Sequence, residues 1–317
     1  MPEEVVGRFA PTPSGRMHLG NLLCALVAWL SARAAGGRVV LRIEDLDPGR
    51  SSPDMARRIE EDFLFLGLDW DEGGSRGGPH APYFQSQRTA WYTELYERLR
   101  ARGLVYPCFC SRAALHAAEA PHTADGEPLY TGRCRTLSAA DIAAGYRRRP
   151  PAMRLIMPDK VVRFTDGHYG EQAQRLAAEC GDIVLRRADG VFAYQLAVVA
   201  DDAAMGITEV VRGRDLLAST PRQLYLYKLF GWEPPRFRHV PLLLAPDGRR
   251  LAKRDADLDL DALRARGLTA ADITGRLAFA AGLLDRPEAA RPQDLLAVFD
   301  WNKIPRADIR LPAGLFA

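Results

Sequence analysis

The stretch from Val5 to Ile43 constrains the fold most. Val5-Val6-Gly7-Arg8-Phe9 is a short apolar run, Ala10-Pro11-Thr12-Pro13-Ser14-Gly15 a stiff turn, and the segment from about Leu19 to Ala35 is rich in leucine and alanine. Gly36-Gly37 stops that helical stretch, and Val39-Val40-Leu41-Arg42-Ile43 forms the next strand. A strand, helix, strand unit of this length predicts an α/β fold with a parallel sheet and helices over its faces. Another helix is expected from Pro53 to Leu66, where acids and arginines alternate around an apolar stripe. Residues 72–82 are Gly- and Pro-rich and predict a loop, followed by a helix from about Ser86 to Arg102.

The pattern is irregular from 103 to 190, with Pro150-Pro151 and several turn signals, which predicts an insertion with its own small core. An α/β pattern resumes at Val191, and after Gly248 the chain becomes mostly helical. The expected division is 1–102 and 191–245 as two halves of one domain, 103–190 as the inserted lobe, and 246–317 as a basic loop with a small helical lobe. With 317 residues, 47% hydrophobic and 26% charged, the chain has the composition of a globular protein. No run approaches the roughly 20 apolar residues of a membrane helix. Met1 to Phe9 carries two acids and no apolar stretch, so a secretory signal is not expected. Five cysteines, three of them crowded between Cys108 and Cys134, argue against a secreted disulfide framework, and the expected location is cytoplasmic. A balance of 43 basic against 40 acidic residues leaves a polyanionic partner undecided.

Two segments carry phosphate chemistry. From Arg8 to Asn21 a strand ends, prolines stiffen the turn, and Gly15 and Gly20 allow a ligand close to a helix N-terminus. The N–H groups and dipole there suit phosphate, and His18 could either donate to a phosphate oxygen or cap the helix. The segment is neither G-x-G-x-x-G nor a Walker loop. Far downstream, Pro246-Asp247-Gly248 precedes Arg249, Arg250, Lys253 and Arg254, a cationic loop able to follow charge building on a leaving pyrophosphate.

Together the two segments resemble the signatures of class I aminoacyl-tRNA synthetases. His18-Leu19-Gly20-Asn21 stands in place of HIGH, with Asn21 for the second histidine, and Arg250-Leu251-Ala252-Lys253-Arg254 in place of KMSKS. Gly7 to Gly15, Leu41-Arg42-Ile43-Glu44-Asp45-Leu46-Asp47, and Asp201 to Gly213 resemble the glutamyl branch. The resemblance implies a Rossmann-type catalytic domain. It also implies ATP contacts at Pro11, His18, Gly20, Asn21 and Lys253, with His18 and Lys253 catalytic and Mg²⁺ accompanying ATP. For glutamate it implies Arg8 and Arg212 toward the side-chain carboxylate, Glu44 toward the ammonium and a hydroxyl from Tyr194. Phe9, Ala10, Pro11 and Thr12 would form the pocket wall. On the residues alone, Arg212 and Glu44 could instead neutralise each other as an internal ion pair. Val198 departs from the branch, which usually has Asn four residues beyond the tyrosine.

Cys108-Phe109-Cys110 and Tyr130-Thr131-Gly132-Arg133-Cys134 form a metal candidate, since three thiolates and one further donor satisfy tetrahedral zinc. On chemistry alone His116 and His122 are rival fourth ligands. The segment resembles glutamyl-queuosine synthetases, which implies Cys108, Cys110, Tyr130 and Cys134 around a structural zinc. Cys24 and Cys180 are expected to be buried or incidental. Only about 60 residues follow Asp255, fewer than an anticodon-reading domain of ordinary size needs. That favours the truncated, queuosine-modifying branch, whose partners are ATP, L-glutamate and the anticodon stem-loop of tRNA(Asp), acting as a monomer. The alternatives are a synthetase fragment that charges tRNA(Glu) and a zinc-stapled RNA-binding module without catalysis. Arg147-Arg148-Arg149 with Arg154 is an expected phosphate-contacting patch.

Overall fold

Residues 4–111, 129–251 and 258–316 are described by the computed structural model. The first apolar run becomes strand β1, Val6–Phe9, with all four residues buried. Helix α1, Leu19–Ala34, is apolar almost all round and therefore lies inside the molecule: Leu19, Leu22, Leu23, Leu26 and Leu30 are at most 1% exposed. Each such burial stabilises the fold by about 2 kcal/mol. The helix ends where Gly36 adopts φ 69°, and β2, Arg38–Leu41, runs parallel to β1 from Val6↔Arg38 to Phe9↔Leu41. Helix α2, Pro53–Leu66, opens with proline in its first turn and closes on left-handed Gly67. The stretch expected to be loop holds a two-residue edge strand, β3, Glu72–Gly73, which pairs with β2. Helix α3, Thr89–Ala101, follows.

The insertion is more regular than its sequence suggests. Strands β4 (Val105–Cys108), β5 (Ala152–Leu155) and β8 (Ile183–Arg186) form an antiparallel sheet in the order β4-β5-β8. Between them β6 (Val161–Asp166) and β7 (Gly170–Arg175) make a hairpin. The main sheet resumes with β9 (Glu209–Gly213) and β10 (Arg236–Val240), giving the order β10-β9-β1-β2-β3, all parallel. The chain winds from β1 to β2 and β3 on one side, then crosses to β9 and β10 on the other. The carboxyl ends of β1 and β9 therefore flank the topological switch point, where open α/β sheets collect ligands.

Alternation along the strands feeds two cores. Phe9, Val39 and Leu41 pack with α1 and α2, while Val6, Val40, Val210 and Phe237 pack with α3 and the helices Tyr194–Ala204 and Thr220–Phe230. A Cβ on Gly7 would meet the Ala32 Cβ at 3.0 Å, so glycine sets how closely α1 lies on β1. The C-terminal helices Leu260–Ala265 and Ala270–Ala280 share the α1/α2 core through Leu260, Leu263, Ile273 and Leu277, rather than enclosing a core of their own. Strands β11 (Leu243–Leu244) and β12 (Ile309–Arg310) pair in parallel and tie the C-terminal region to the end of the main sheet. Among the described residues no helix is long and apolar enough to cross a membrane.

Candidate functional site

A cleft of about 490 Å³ opens at the switch point. Its wall includes Arg8, Phe9, Ala10, Pro11, Thr12, His18, Gly20, Asn21, Glu44, Tyr194 and Arg212, so one opening unites the sequence-predicted ligand residues of β1, the turn, α1, β2 and the downstream half. Lys253, with Ala252, Arg254 and Asp255, lies outside the described residues. Phe9 reaches the cleft by its place at the strand end, while its ring packs 4.7 Å from that of Phe63. The turn is tied to the next strand by backbone bonds, Arg42 N–H donating to Phe9 O at 3.0 Å and Glu44 N–H to Pro11 O at 2.9 Å.

His18 is the N-cap of α1: its Nδ1 accepts from Gly20 N–H at 3.1 Å, and Asn21 Oδ1 accepts from His18 N–H at 3.3 Å. Capping and phosphate contact are compatible, because an accepting Nδ1 puts the proton of the neutral ring on Nε2, the donor atom. A Cβ on Gly20 would lie 3.0 Å from the His18 ring, so this glycine permits the cap.

Two of the four arginines that line the cleft, Arg8 and Arg212, are buried, and neither forms an ion pair with Glu44. Arg212 is 4% exposed, yet Nε donates to His239 Nε2 at 3.0 Å, Nη2 to Thr220 Oγ1 at 2.9 Å and Leu216 O at 3.3 Å, and Nη1 has no partner. None of these partners is a carboxylate. Burial presses Arg212 below the usual arginine range, with the neighbouring Arg8 charge acting the same way against the favourable Tyr194 phenol. Arg8 donates from Nη1 to Val211 O at 3.1 Å, and its Nε lies 3.5 Å from Asp202 without a hydrogen bond. Glu44 does not meet Arg212; it pairs at 3.1 Å with Arg42, which the sequence did not single out as a site residue. Arg42 is 0% exposed and also bonds Asp202 at 2.6 Å, with Asp201 3.9 Å away. Asp201 is held in turn by Arg88 at 2.6 Å, Tyr92 at 2.7 Å and Gln85 at 2.8 Å. Burial lifts the Glu44 carboxyl above its ordinary range, and Arg42 and Arg8 pull it back. The cleft thus holds cations at the β1 and β9 ends and an acid beside them, the polarity an amino acid with an acidic side chain requires.

Cys24 also lines the cleft, but burial pushes its thiol up to about 12, which disarms it as a nucleophile. Tyr194 faces the cleft, whereas Val198, one turn later on the same helix, is 1% exposed within the second core. At the mouth Arg250 pairs with Asp215 at 2.6 Å, and Arg249 with Asp247 at 2.9 Å.

In the inserted lobe the sulfurs of Cys108, Cys110 and Cys134 lie within 4.8 Å of one another, with Cys110 and Cys134 3.7 Å apart. A zinc ion bound at about 2.3 Å to two sulfurs at the tetrahedral angle separates them by about 3.8 Å, so the donor set fits. Tyr130, 4% exposed, brings its hydroxyl to the same place, accepting from Cys134 N–H at 2.8 Å. His116 and His122 lie outside the described residues. Arg154 is withdrawn from the expected surface patch. It is buried, its guanidinium sits 3.8 Å from the centre of the Tyr130 ring, and Nη1 donates to Asp182 O at 2.6 Å. Arg147, Arg148 and Arg149 remain exposed.

Residues 4–273 match the family described as tRNA synthetases class I (E and Q), catalytic domain. Among similar chains, the glutamyl-Q tRNA(Asp) synthetase of Symbiobacterium thermophilum is 52% identical over 315 residues, covering 98% of this chain and 97% of the relative. The glutamyl-Q tRNA(Asp) synthetase of Nitratidesulfovibrio vulgaris is 49% identical over 311 residues, covering 98% and 96%. Among solved structures, a glutamate tRNA ligase from Elizabethkingia meningosepticum in complex with its amino acid superposes with a TM-score of 0.83 at 30% identity, covering 99% of this chain and 68% of that one.

Proposed function

The chain belongs to the class I tRNA synthetases (E and Q), and from that premise we propose that it activates L-glutamate with ATP and transfers it to the queuosine base of tRNA(Asp). The observation that carries the reading is Arg212, a buried guanidinium facing the cleft with no carboxylate partner and Nη1 unsatisfied. An uncompensated buried charge costs several kcal/mol unless a ligand anion completes it.

In the first step a glutamate α-carboxylate oxygen attacks the α-phosphorus of ATP, and pyrophosphate leaves. Arg212 and Arg8 take the side-chain carboxylate, Glu44 the ammonium, and Tyr194 adds a hydroxyl contact. Phe9, Ala10, Pro11 and Thr12 set the depth of the pocket. Pro11, Gly20, Asn21 and His18 Nε2–H face the nucleotide's phosphates at the start of α1, and Lys253 meets the charge that grows on pyrophosphate. Mg²⁺ would supply further charge neutralisation. The cleft's carboxylates among the described residues are Glu44 and Asp215, so the nucleotide's own phosphate oxygens would hold most of it. In the second step a hydroxyl of the queuosine cyclopentene ring attacks the acyl carbon, losing its proton as AMP departs. An anticodon stem-loop with its wobble base splayed out is the form that can present that hydroxyl.

The halves 1–102 and 191–245 then act as the activating domain, and 103–190 as the acceptor-side lobe, which Cys108, Cys110, Tyr130 and Cys134 would staple around a structural zinc. Residues 246–317 supply the phosphate loop and the C-terminal helices. We place the enzyme in the cytoplasm as a monomer. Glutamate-dependent ATP–pyrophosphate exchange in the absence of RNA tests the first step. Exchange with glutamate and at least tenfold less with glutamine is expected, and no exchange without RNA would refute the reading.

A further inference from the structure

A buried line of three side chains runs from the inserted lobe to the cleft. Asp166, the last residue of β6, is 1% exposed and accepts the N–H groups of His168 at 3.0 Å and Tyr169 at 2.8 Å. The same turn docks on the main sheet, Gly167 N–H donating to Phe237 O at 2.8 Å. His239 on β10 is 0% exposed, with Nδ1 2.6 Å from Asp166 Oδ2 and Nε2 3.0 Å from Arg212 Nε. A guanidinium can only donate, so Nε2 accepts and the ring's single proton sits on Nδ1, aimed at Asp166. Burial holds His239 down to about 4, against the Asp166 hydrogen bond, so the imidazole between acid and guanidinium is neutral near pH 7.

We propose that His239, held in one tautomer by Asp166, is a positioning residue for Arg212. It fixes the rotation of the guanidinium by accepting its Nε–H, and it keeps the Asp166 charge one ring away, so that Nη1 stays available to the carboxylate of the amino-acid substrate. The contrast lies in the same core: Arg42 and Arg88 are met directly by carboxylates, at 2.6 Å from Asp202 and 2.6 Å from Asp201, and serve as structural ions. A carboxylate placed directly on Arg212 would neutralise it and compete with the ligand. The neutral ring supplies orientation without neutralisation. Because Asp166 belongs to the β6–β7 hairpin, that hairpin becomes part of what shapes the amino-acid pocket.

The inference rests on the reading that Arg212 binds the substrate carboxylate, so its test includes a control on that residue. Full-length wild type, His239→Leu, His239→Gln, Asp166→Asn and Arg212→Ala are compared in glutamate-dependent pyrophosphate exchange, with KM for glutamate, KM for ATP, kcat and thermal midpoint measured for each. His239→Leu should raise KM for glutamate roughly tenfold or more, as loss of a buried charged hydrogen bond does, with KM for ATP within about twofold. His239→Gln offers an oxygen to Arg212 and an N–H₂ to Asp166, and should restore most of the glutamate affinity; Asp166→Asn should fall between. An unchanged KM for glutamate in His239→Leu, equal rises for glutamate and ATP, or a glutamine variant as impaired as the leucine variant would overturn the proposal. If His239→Leu does not fold, the glutamine and Asp166→Asn variants decide it: near-wild-type glutamate affinity in the first with a selective rise in the second supports it, and the reverse overturns it. Normal glutamate affinity in Arg212→Ala would sink the underlying reading; its loss there alongside an unmoved His239→Leu would sink only the positioning role.

Discussion

Replacing Arg42 by methionine asks whether the site stands on its buried charge balance. Arg42 is fully buried and bonds Glu44 at 3.1 Å and Asp202 at 2.6 Å. In Arg42→Met, Asp201 keeps Arg88 at 2.6 Å, Tyr92 at 2.7 Å and Gln85 at 2.8 Å, and Asp202 keeps Arg8 at 3.5 Å. Glu44 loses the guanidinium that faces it, so the deficit is close to one buried negative charge. Removing one partner of such a pair costs about 3–5 kcal/mol, a large share of the roughly 5–15 kcal/mol that holds a domain folded. At roughly 2–4 °C per kcal/mol, Tm should fall by about 10 °C. The pH dependence has a definite sign. Burial already raises Glu44 in the folded protein, and loss of Arg42 raises it further. A carboxyl raised above its unfolded value, about 4.3, binds a proton more readily in the folded state, so its contribution to stability diminishes as pH rises through that value. The Tm deficit of Arg42→Met relative to wild type should therefore be larger at pH 8 than at pH 5 in circular-dichroism melts. A deficit under about 3 °C, or one as large at pH 5 as at pH 8, would show that Arg42 does not balance these acids.

Two further outcomes follow from the same geometry. Arg212→Ala should lower kcat/KM for glutamate in pyrophosphate exchange by roughly 30-fold or more, since truncating one side of a desolvated charge pair costs about 2–5 kcal/mol, while KM for ATP stays near wild type; retained glutamate kinetics would remove Arg212 from the site. Cys134→Ser, or treatment with a strong zinc chelator, should release about one equivalent of zinc and lower the melting midpoint, as expected for a structural metal coupled to folding; zinc content below a tenth of an equivalent in the untreated protein would exclude the site.

Much of the candidate site was legible because it is written locally. Arg8 and Arg212 close strands, Glu44 follows one, and His18 opens a helix, so residue type and element boundary together locate them at the sheet's carboxyl edge. The charges beneath them were not legible as a network. Arg42 and Asp202 are 160 positions apart, His239 and Asp166 73, and buried ionic contacts leave no periodic trace. Arg154 misled because it follows a run of arginines, whereas on β5 it turns inward onto the Tyr130 ring. The pairing of β11 with β12 involves two residues on each side, too short for any pattern. Whether Arg212 and Glu44 neutralise each other also needed three dimensions, because either arrangement fits the same sequence.

The most direct measurement of the central claim incubates the enzyme with ATP, labelled glutamate and total tRNA prepared from queuosine-replete and queuosine-deficient cells. Label confined to the queuosine-containing tRNA is the predicted result. Equal labelling of both preparations, or labelling of tRNA(Glu) in place of tRNA(Asp), would contradict it.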